Sequence, residues 1–380
     1  MGLASNRFFP ITQKCPVCGL PMKRNGKTRA GTQRWRCGSC GASSVHRYDS
    51  EAKELEAFLG WLLSKGGQAS MPGGGRTFRR RAEKFWRIWP MPEVVDEVHR
   101  VVYVDGIYVA RGLVVLIACS DSHVLSWYMA KAETTRAWRA LLSRIAPPEV
   151  VVTDGGSGFA SAVAAEWPET RVQRCLFHAF CQVKRHTTSR PRLQAGIELY
   201  GLARELMRLD DLRQADWWVE RYMQWCGFWA DFLEQRTVVD GRSVYTHERL
   251  RRARSSLSTL VNKGTLFTYL DPALTAGGPL PRTNNRIEGG VNARLRDMLR
   301  NHRGLSDLRR VKAIYWWCYM HTECPMPAAR IIREMPTDDD IDLLYETYAE
   351  HPRADGGPGW GEAPVWQELH HQTPYPYATY

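Results

Sequence analysis

The sequence predicts an α/β chain: a mixed, largely buried sheet, interrupted by a helical insertion and preceded by a small cysteine-bearing β-ribbon and a pair of helices. Three observations predict it. Two Cys-x-x-Cys pairs lie near the N-terminus, short apolar runs of strand character crowd the stretch from Val101 to Phe177, and an aromatic-rich stretch of helical spacing follows.

At 380 residues the chain is long enough for two or three domains and at least one substantial core, which excludes a small disulfide-stapled peptide. Its longest apolar runs, such as Val114 to Cys119, fall far short of the roughly 18 residues of a membrane span. The first residues show no apolar stretch of the kind an export signal needs, so a soluble protein of the reducing cytoplasm, without membrane contact, is expected.

Lys and Arg number 52 against 40 Asp and Glu, a net charge of +12 that is unevenly spread. Residues 1–90 hold 17 basic and five acidic side chains, and the first 48 hold no acid at all, whereas residues 331–380 hold two basic and ten acidic ones. An acid-free basic block is the footprint of a polyanion binder, with a solvated surface as the plain alternative.

Cys15-Pro16-Val17-Cys18 and Cys37-Gly38-Ser39-Cys40 stand 18 residues apart, the spacing of a four-thiolate zinc site holding one structural Zn²⁺. Gly19 and Gly41 follow the two pairs and let the backbone curl round the ion. A disulfide or a thioredoxin-like motif is the rival reading. Between the knuckles Lys23, Arg24, Lys27, Arg29, Arg34, Trp35 and Arg36 suggest a ribbon carrying cations and one aromatic to a nucleic-acid backbone; protein contact is the alternative. Two helices are expected next, Glu51 to Ser64 and Arg76 to Trp89, joined through a glycine-rich break. The second carries Arg76, Arg79, Arg80, Arg81 and Lys84, which suit a helix-turn-helix recognition helix or a solvated basic face.

From Val101 the spacing predicts three antiparallel strands, Val101 to Val104, Leu113 to Cys119 and Val124 to Met129, then a helix from Glu133 to Ile145. A buried strand Val150 to Thr153, a helix Ser157 to Glu166 and a strand Arg171 to Phe177 follow. The order βββαβαβ is that of a ribonuclease-H-like sheet. Asp105-Gly106 and Asp154-Gly155-Gly156 would be ordinary turns in isolation. In this order they fall on adjacent central strands, and two carboxylates side by side call for a hard cation between them.

Asp105-Gly106-Ile107-Tyr108, Val152-Thr153-Asp154-Gly155 and Asn285-Arg286-Ile287-Glu288-Gly289, with Cys175-Leu176-Phe177-His178 between the last two, resemble the ordered motifs of the DDE transposases of the Mutator-like superfamily, in the bacterial insertion-sequence branch. The resemblance implies a ribonuclease-H-like catalytic domain split by an all-α insertion. It implies that Asp105, Asp154 and Glu288 hold two Mg²⁺ (or Mn²⁺) ions for hydrolysis at the element's ends and transfer of the 3′-OH to target DNA. The partners implied are double-stranded DNA, as terminal inverted repeats and as target, and further copies of the chain in a homodimer or higher homo-oligomer at the bacterial nucleoid. Glu248 and Asp271 are rival third acids. His178 is expected near the scissile phosphate as an orienting group or proton carrier with Cys175 beneath it, or else as a satisfied buried histidine. Cys175 and His178 as zinc ligands lack a second pair.

The domains expected are a zinc ribbon (1–48), a helical DNA-binding region (49–92), a first catalytic part (93–180), an all-α insertion (181–282), a second catalytic part (283–330) and an acidic, flexible or partner-bound tail (331–380). Trp217, Trp218, Trp225, Phe228 and Trp229 of the insertion are expected mostly in its core; the resemblance implies that an insertion-domain Trp can stack on an extruded base, without singling one out. Arg286 and the runs Arg249 to Arg254 and Arg294 to Arg310 would grip DNA backbone. A regulator without catalysis and a nuclease of the same fold are the alternatives.

Overall fold

A computed structural model describes residues 14–15, 17–45, 50–350 and 361–371; the N-terminal residues read for an export signal and the last Pro- and aromatic-rich stretch lie outside them. The chain divides into two compact units, Met1–Glu56 and Ala57–Tyr380.

In the first unit, β1 (Met22–Lys27), β2 (Gln33–Cys37) and β3 (Ser43–Val45) form an antiparallel sheet in that order. Its small core is Cys15, Met22, Trp35 and Cys37. Alternation along β2 therefore turns Trp35 inward and leaves Arg34 and Arg36 exposed, so the aromatic expected on the nucleic-acid face is a core residue. The Arg24 guanidinium lies over its ring at 5.7 Å.

In the second unit, the C-terminal half of α1 (Ser50–Leu62) and α2 (Gly74–Ala82) meet through aromatic edges: Trp61 on Phe78 at 5.5 Å, and Phe58 on Trp86 at 5.0 Å. The second helix ends at Ala82 and tightens into a 3₁₀ turn, Glu83–Arg87, rather than running on to Trp89. Phe85, Trp86 and Trp89 are all buried, more than one helical stripe can satisfy.

The central sheet consists of β4 (Val101–Ala110), β5 (Leu113–Cys119), β6 (Val124–Ala130), β7 (Val150–Thr153) and β8 (Arg171–Arg174), with α3 (Thr135–Leu142) and α4 (Ser157–Glu166) between the later strands. Strand order is β6-β5-β4-β7-β8; the first three are antiparallel and β4, β7 and β8 are parallel. Every residue of β5, β6 and β7 is buried, as strands covered on both faces must be. Trp138, Leu141, Phe159 and Ala162 of α3 and α4 cover one face, packing with Val102, Val104 and Leu116.

Two strand boundaries differ from expectation. β4 continues through Asp105 because it stays paired with β5, Asp105 facing Ile117, although its pairing with β7 stops at Tyr103. β8 stops at Arg174, and α5 (Leu176–Thr187) begins at once, so His178 lies in a helix's first turn and not in a strand end.

The insertion continues with α6 (Gln194–Glu205), α7 (Leu212–Phe228), α8 (Ala230–Glu234), β9 (Arg236–Val239), β10 (Arg242–Tyr245), α9 (Glu248–Asn262) and the short α10 (Pro272–Thr275). It is thus not all-α. Asp240 and Gly241, both at positive φ (50° and 74°), turn a two-residue hairpin between β9 and β10. Trp218 and Trp225 are core residues with Tyr222 stacked between them. Trp217 and Phe228 are exposed, the former under the Arg221 guanidinium at 4.4 Å.

A π-helical stretch, Arg286–Asn292, leads into α11 (Ala293–Asn301) and α12 (Asp307–Met320); α12 packs its buried Tyr315 on Trp127 of β6 at 6.0 Å, on the second face of the sheet. The acidic segment is not flexible where it is described: it folds into α13 (Ala328–Glu334), α14 (Asp338–Glu350) and α15 (Ala363–His371), burying Ile331, Ile341, Tyr345, Val365, Trp366 and Leu369. Gly361 pairs with Met129, and the Glu362 amide donates to the Met129 carbonyl oxygen at 3.0 Å, which covers the β6 edge of the sheet. Among the described residues no helix is long and apolar enough to cross a membrane.

Candidate active site

The parallel register pairs Tyr103 with Val152, so Asp105 and Asp154, each two residues on, emerge level with one another where β7 has ended. Asp105 Oδ1 accepts from its neighbour's amide, Gly106, at 2.9 Å, and Oδ2 accepts from Asn292 Nδ2 at 2.7 Å. Burial in the sheet, followed by repulsion from Asp154 and then from Glu288, pushes the Asp105 carboxyl up to about 7. The three acids therefore share one electrostatic neighbourhood.

Glu288 lies in the first turn of the π-helical stretch, a local irregularity frequent at functional sites. Its helix is fastened by Asn284, which is fully buried: the side-chain amide donates to the Val104 carbonyl oxygen at 3.0 Å, and the backbone N–H donates to Cys175 Sγ at 3.2 Å. Asn284 is thus a clip between the helix of Glu288, the strand of Asp105 and Cys175. Glu288 Oε1 stands 3.2 Å from His178 Nδ1, without the alignment of a hydrogen bond. The Cys175 thiol and the Glu288 carboxylate beside it push the His178 imidazole up to about 10, so it is a cation at neutral pH.

Two side chains not singled out in the sequence belong to the same neighbourhood. Glu133, just before α3, carries its carboxylate over Gly106, where a Cβ would lie only 2.7 Å from Oε1. Burial, then Asp154, raises its carboxyl. Arg174, at the end of β8, is buried and lies across Gly155, whose φ of +87° and lack of a Cβ make room for the guanidinium. Its Nε and Nη1 have no hydrogen-bond partner, and its charge faces Asp154, Cys175 and Glu288. The rival acids are engaged elsewhere: Glu248 with Arg252 at 2.8 Å, and Asp271 with Arg171 at 3.1 Å and as the cap of α10.

Half-buried carboxylates backed by amides are a hard, oxygen-donor setting that suits Mg²⁺ or Mn²⁺, and a cation there would offset the burial and mutual repulsion that raise the Asp105 carboxyl.

In the first unit, Cys15, Cys18, Cys37 and Cys40 bring their four sulfurs within 4.8 Å of one another as free thiols, a set that can hold a structural zinc ion. Backbone N–H groups of the second knuckle pull the Cys37 thiol down to about 6, which favours the thiolate a metal needs. Arg24, Lys27, Arg29, Arg34 and Arg36 are exposed, as are Arg76, Arg79, Arg80, Arg81 and Lys84. Arg286 differs from these: it is half-buried, with its Nε enclosed and its charge toward Tyr103 and Cys119. Within the other basic runs, Arg251, Arg252, Arg300, Arg309 and Arg310 are tied into ion pairs.

The family described as Transposase, Mutator family, matches residues 94–233, a segment that contains Asp105, Glu133, Asp154, Arg174, Cys175 and His178 and stops short of Glu288. No curated protein matches the chain. The family match supports a Mutator-like transposase.

Proposed function

We propose that the chain is a DNA transposase that binds the terminal inverted repeats of its insertion sequence, cleaves the element's ends by metal-dependent hydrolysis and joins the freed 3′-OH to target DNA. What supports this reading is the register that ends β4 and β7 level at Asp105 and Asp154, together with the repulsion that Asp154 and Glu288 exert on the Asp105 carboxyl. The strand order β6-β5-β4-β7-β8 supports a ribonuclease-H-like fold for this part of the chain.

In this reading Asp105, Asp154 and Glu288 hold the divalent cations, which supply charge neutralisation of the phosphodiester and a nucleophilic water. The protein's part is positioning. Asn292 fixes one Asp105 oxygen, Asn284 sets the height of the Glu288 helix on β4, and His178 holds the Glu288 carboxylate by charge. Arg174, whose Nε and Nη1 make no hydrogen bond, would donate to a non-bridging phosphate oxygen. The ribbon and α2 supply exposed cations for the DNA backbone, so affinity falls steeply with salt.

The test is Asp154→Asn assayed on DNA carrying the inverted repeats that flank the reading frame. Retained binding with loss of Mg²⁺-dependent cleavage is expected; cleavage at the wild-type rate would overturn the assignment.

A further inference from the structure

Cys175 and His178 looked incomplete as metal ligands in the sequence because no second pair follows them. The fold supplies the missing donor from 110 residues further on: Cys175 Sγ, a His178 ring nitrogen and a Glu288 carboxylate oxygen all lie within 4.8 Å of one another. Two of these atoms, His178 Nδ1 and Glu288 Oε1, are buried, 3.2 Å apart, and have no hydrogen-bond partner. Buried polar atoms rarely stay without a hydrogen bond, and an ion pair this close that makes none can take a shared ligand between its members. The sulfur is already held from behind by the Asn284 N–H at 3.2 Å, the kind of outer contact that orients a metal thiolate.

We propose that Cys175, His178 and Glu288 form a second metal site, selective for a soft or borderline cation such as Zn²⁺ or Co²⁺ and distinct from both the four-cysteine cluster and the oxygen-donor site of Asp105 and Asp154. One thiolate, one imidazole and one carboxylate with an open fourth position is a donor set that Zn²⁺ takes and Mg²⁺ does not. Uptake releases the protons of the Cys175 thiol and of His178 Nδ1 to solvent. Because Glu288 is shared, a soft cation bound here withdraws it from the hard-cation site and inhibits cleavage. That consequence rests on the catalytic reading above, whereas the binding does not.

The test uses the full chain with zinc already in the Cys15–Cys40 cluster, where zinc outcompetes cobalt. Titration with Co²⁺ is expected to give a thiolate-to-cobalt charge-transfer band that saturates at one further equivalent. Cys175→Ser should lose the band, and His178→Gln, at a less buried position, should weaken binding about tenfold or more. Asp154→Asn should keep the charge-transfer band, which separates this site from the catalytic one. A wild-type chain without the band, a Cys175→Ser chain that keeps it, or a His178→Gln chain of wild-type affinity would each overturn the proposal.

Discussion

Asn284 reaches across 180 residues of sequence to donate its side-chain amide to the carbonyl oxygen of Val104, the residue before Asp105. That bond ties the helix of Glu288 to the strand of the first acid and makes the distance between two carboxylates a property of one buried amide. Asn284→Ala is expected to leave Val104's oxygen unpaired, at a cost of about 1–3 kcal/mol in a denaturant titration. Cleavage should fall much further than DNA binding, because the third acid loses its height above the sheet. Equal losses in the two assays would argue that Asn284 serves only stability.

Asp105 gives the protein a metal-linked pH dependence. Its carboxyl is near 7 in the fold and near 3.8 in an unfolded chain, so between those values the folded state holds a proton that the unfolded state has released. Its contribution to stability is therefore present in acid and is lost as pH rises through about 7. A divalent cation needs the ionised form and reverses the loss. The increase in melting temperature on adding Mg²⁺ or Mn²⁺ should be larger at pH 8 than at pH 6, and Asp105→Asn should abolish the difference. A pH-independent increase would contradict the placement of the cation at Asp105.

Glu133 lies beside the acids without being one of the three. Glu133→Gln keeps its shape, and the tight fit over Gly106, while removing its charge. The expected outcome is an apparent Mg²⁺ requirement for cleavage raised about tenfold, with the rate at saturating Mg²⁺ less affected. An unchanged Mg²⁺ dependence would reduce Glu133 to a packing residue.

The acidic segment is held by an ion pair buried under α14. Lys312, 1% exposed at its side chain, is paired with Asp338, donates to the Trp86 carbonyl oxygen, and lies over the Trp89 ring at 4.7 Å. Burial pushes its amine down to about 8, against the opposing pull of Asp338. Asp338→Asn should destabilise the chain by about 3–5 kcal/mol, because a buried cation is left without its partner, and Lys312→Met in the same chain should recover much of that. Equal urea midpoints for wild type and Asp338→Asn would show that α14 does not anchor here.

Local patterns made much of this molecule readable. Two knuckles at fixed spacing, β-branched runs of four to seven residues and Asp-Gly pairs at their ends sufficed for the cysteine cluster, the five strands and the two aspartates. The hairpin of β9 and β10 was equally legible, since Asp240-Gly241 follows Thr237-Val238-Val239. What lay out of reach depends on contacts between distant segments. Arg174 reads as one arginine among many until β8 is laid beside Gly155, and Glu133 as a helix-flanking acid until α3 folds back over Gly106. The acidic run hid its core because Ile341 and Tyr345, a helical turn apart, are outnumbered by the charges around them.

The central claim is that Asp105, Asp154 and Glu288 form one metal site that joins DNA ends. Its most direct test supplies pre-cut element ends bearing a free 3′-OH, with target plasmid and Mg²⁺. Wild type should yield a covalently joined strand-transfer product, and Asp105→Asn, Asp154→Asn and Glu288→Gln should each yield none while still binding the ends. Joining at the wild-type rate by any one of the three, or hydrolysis without joining by wild type, would contradict the account.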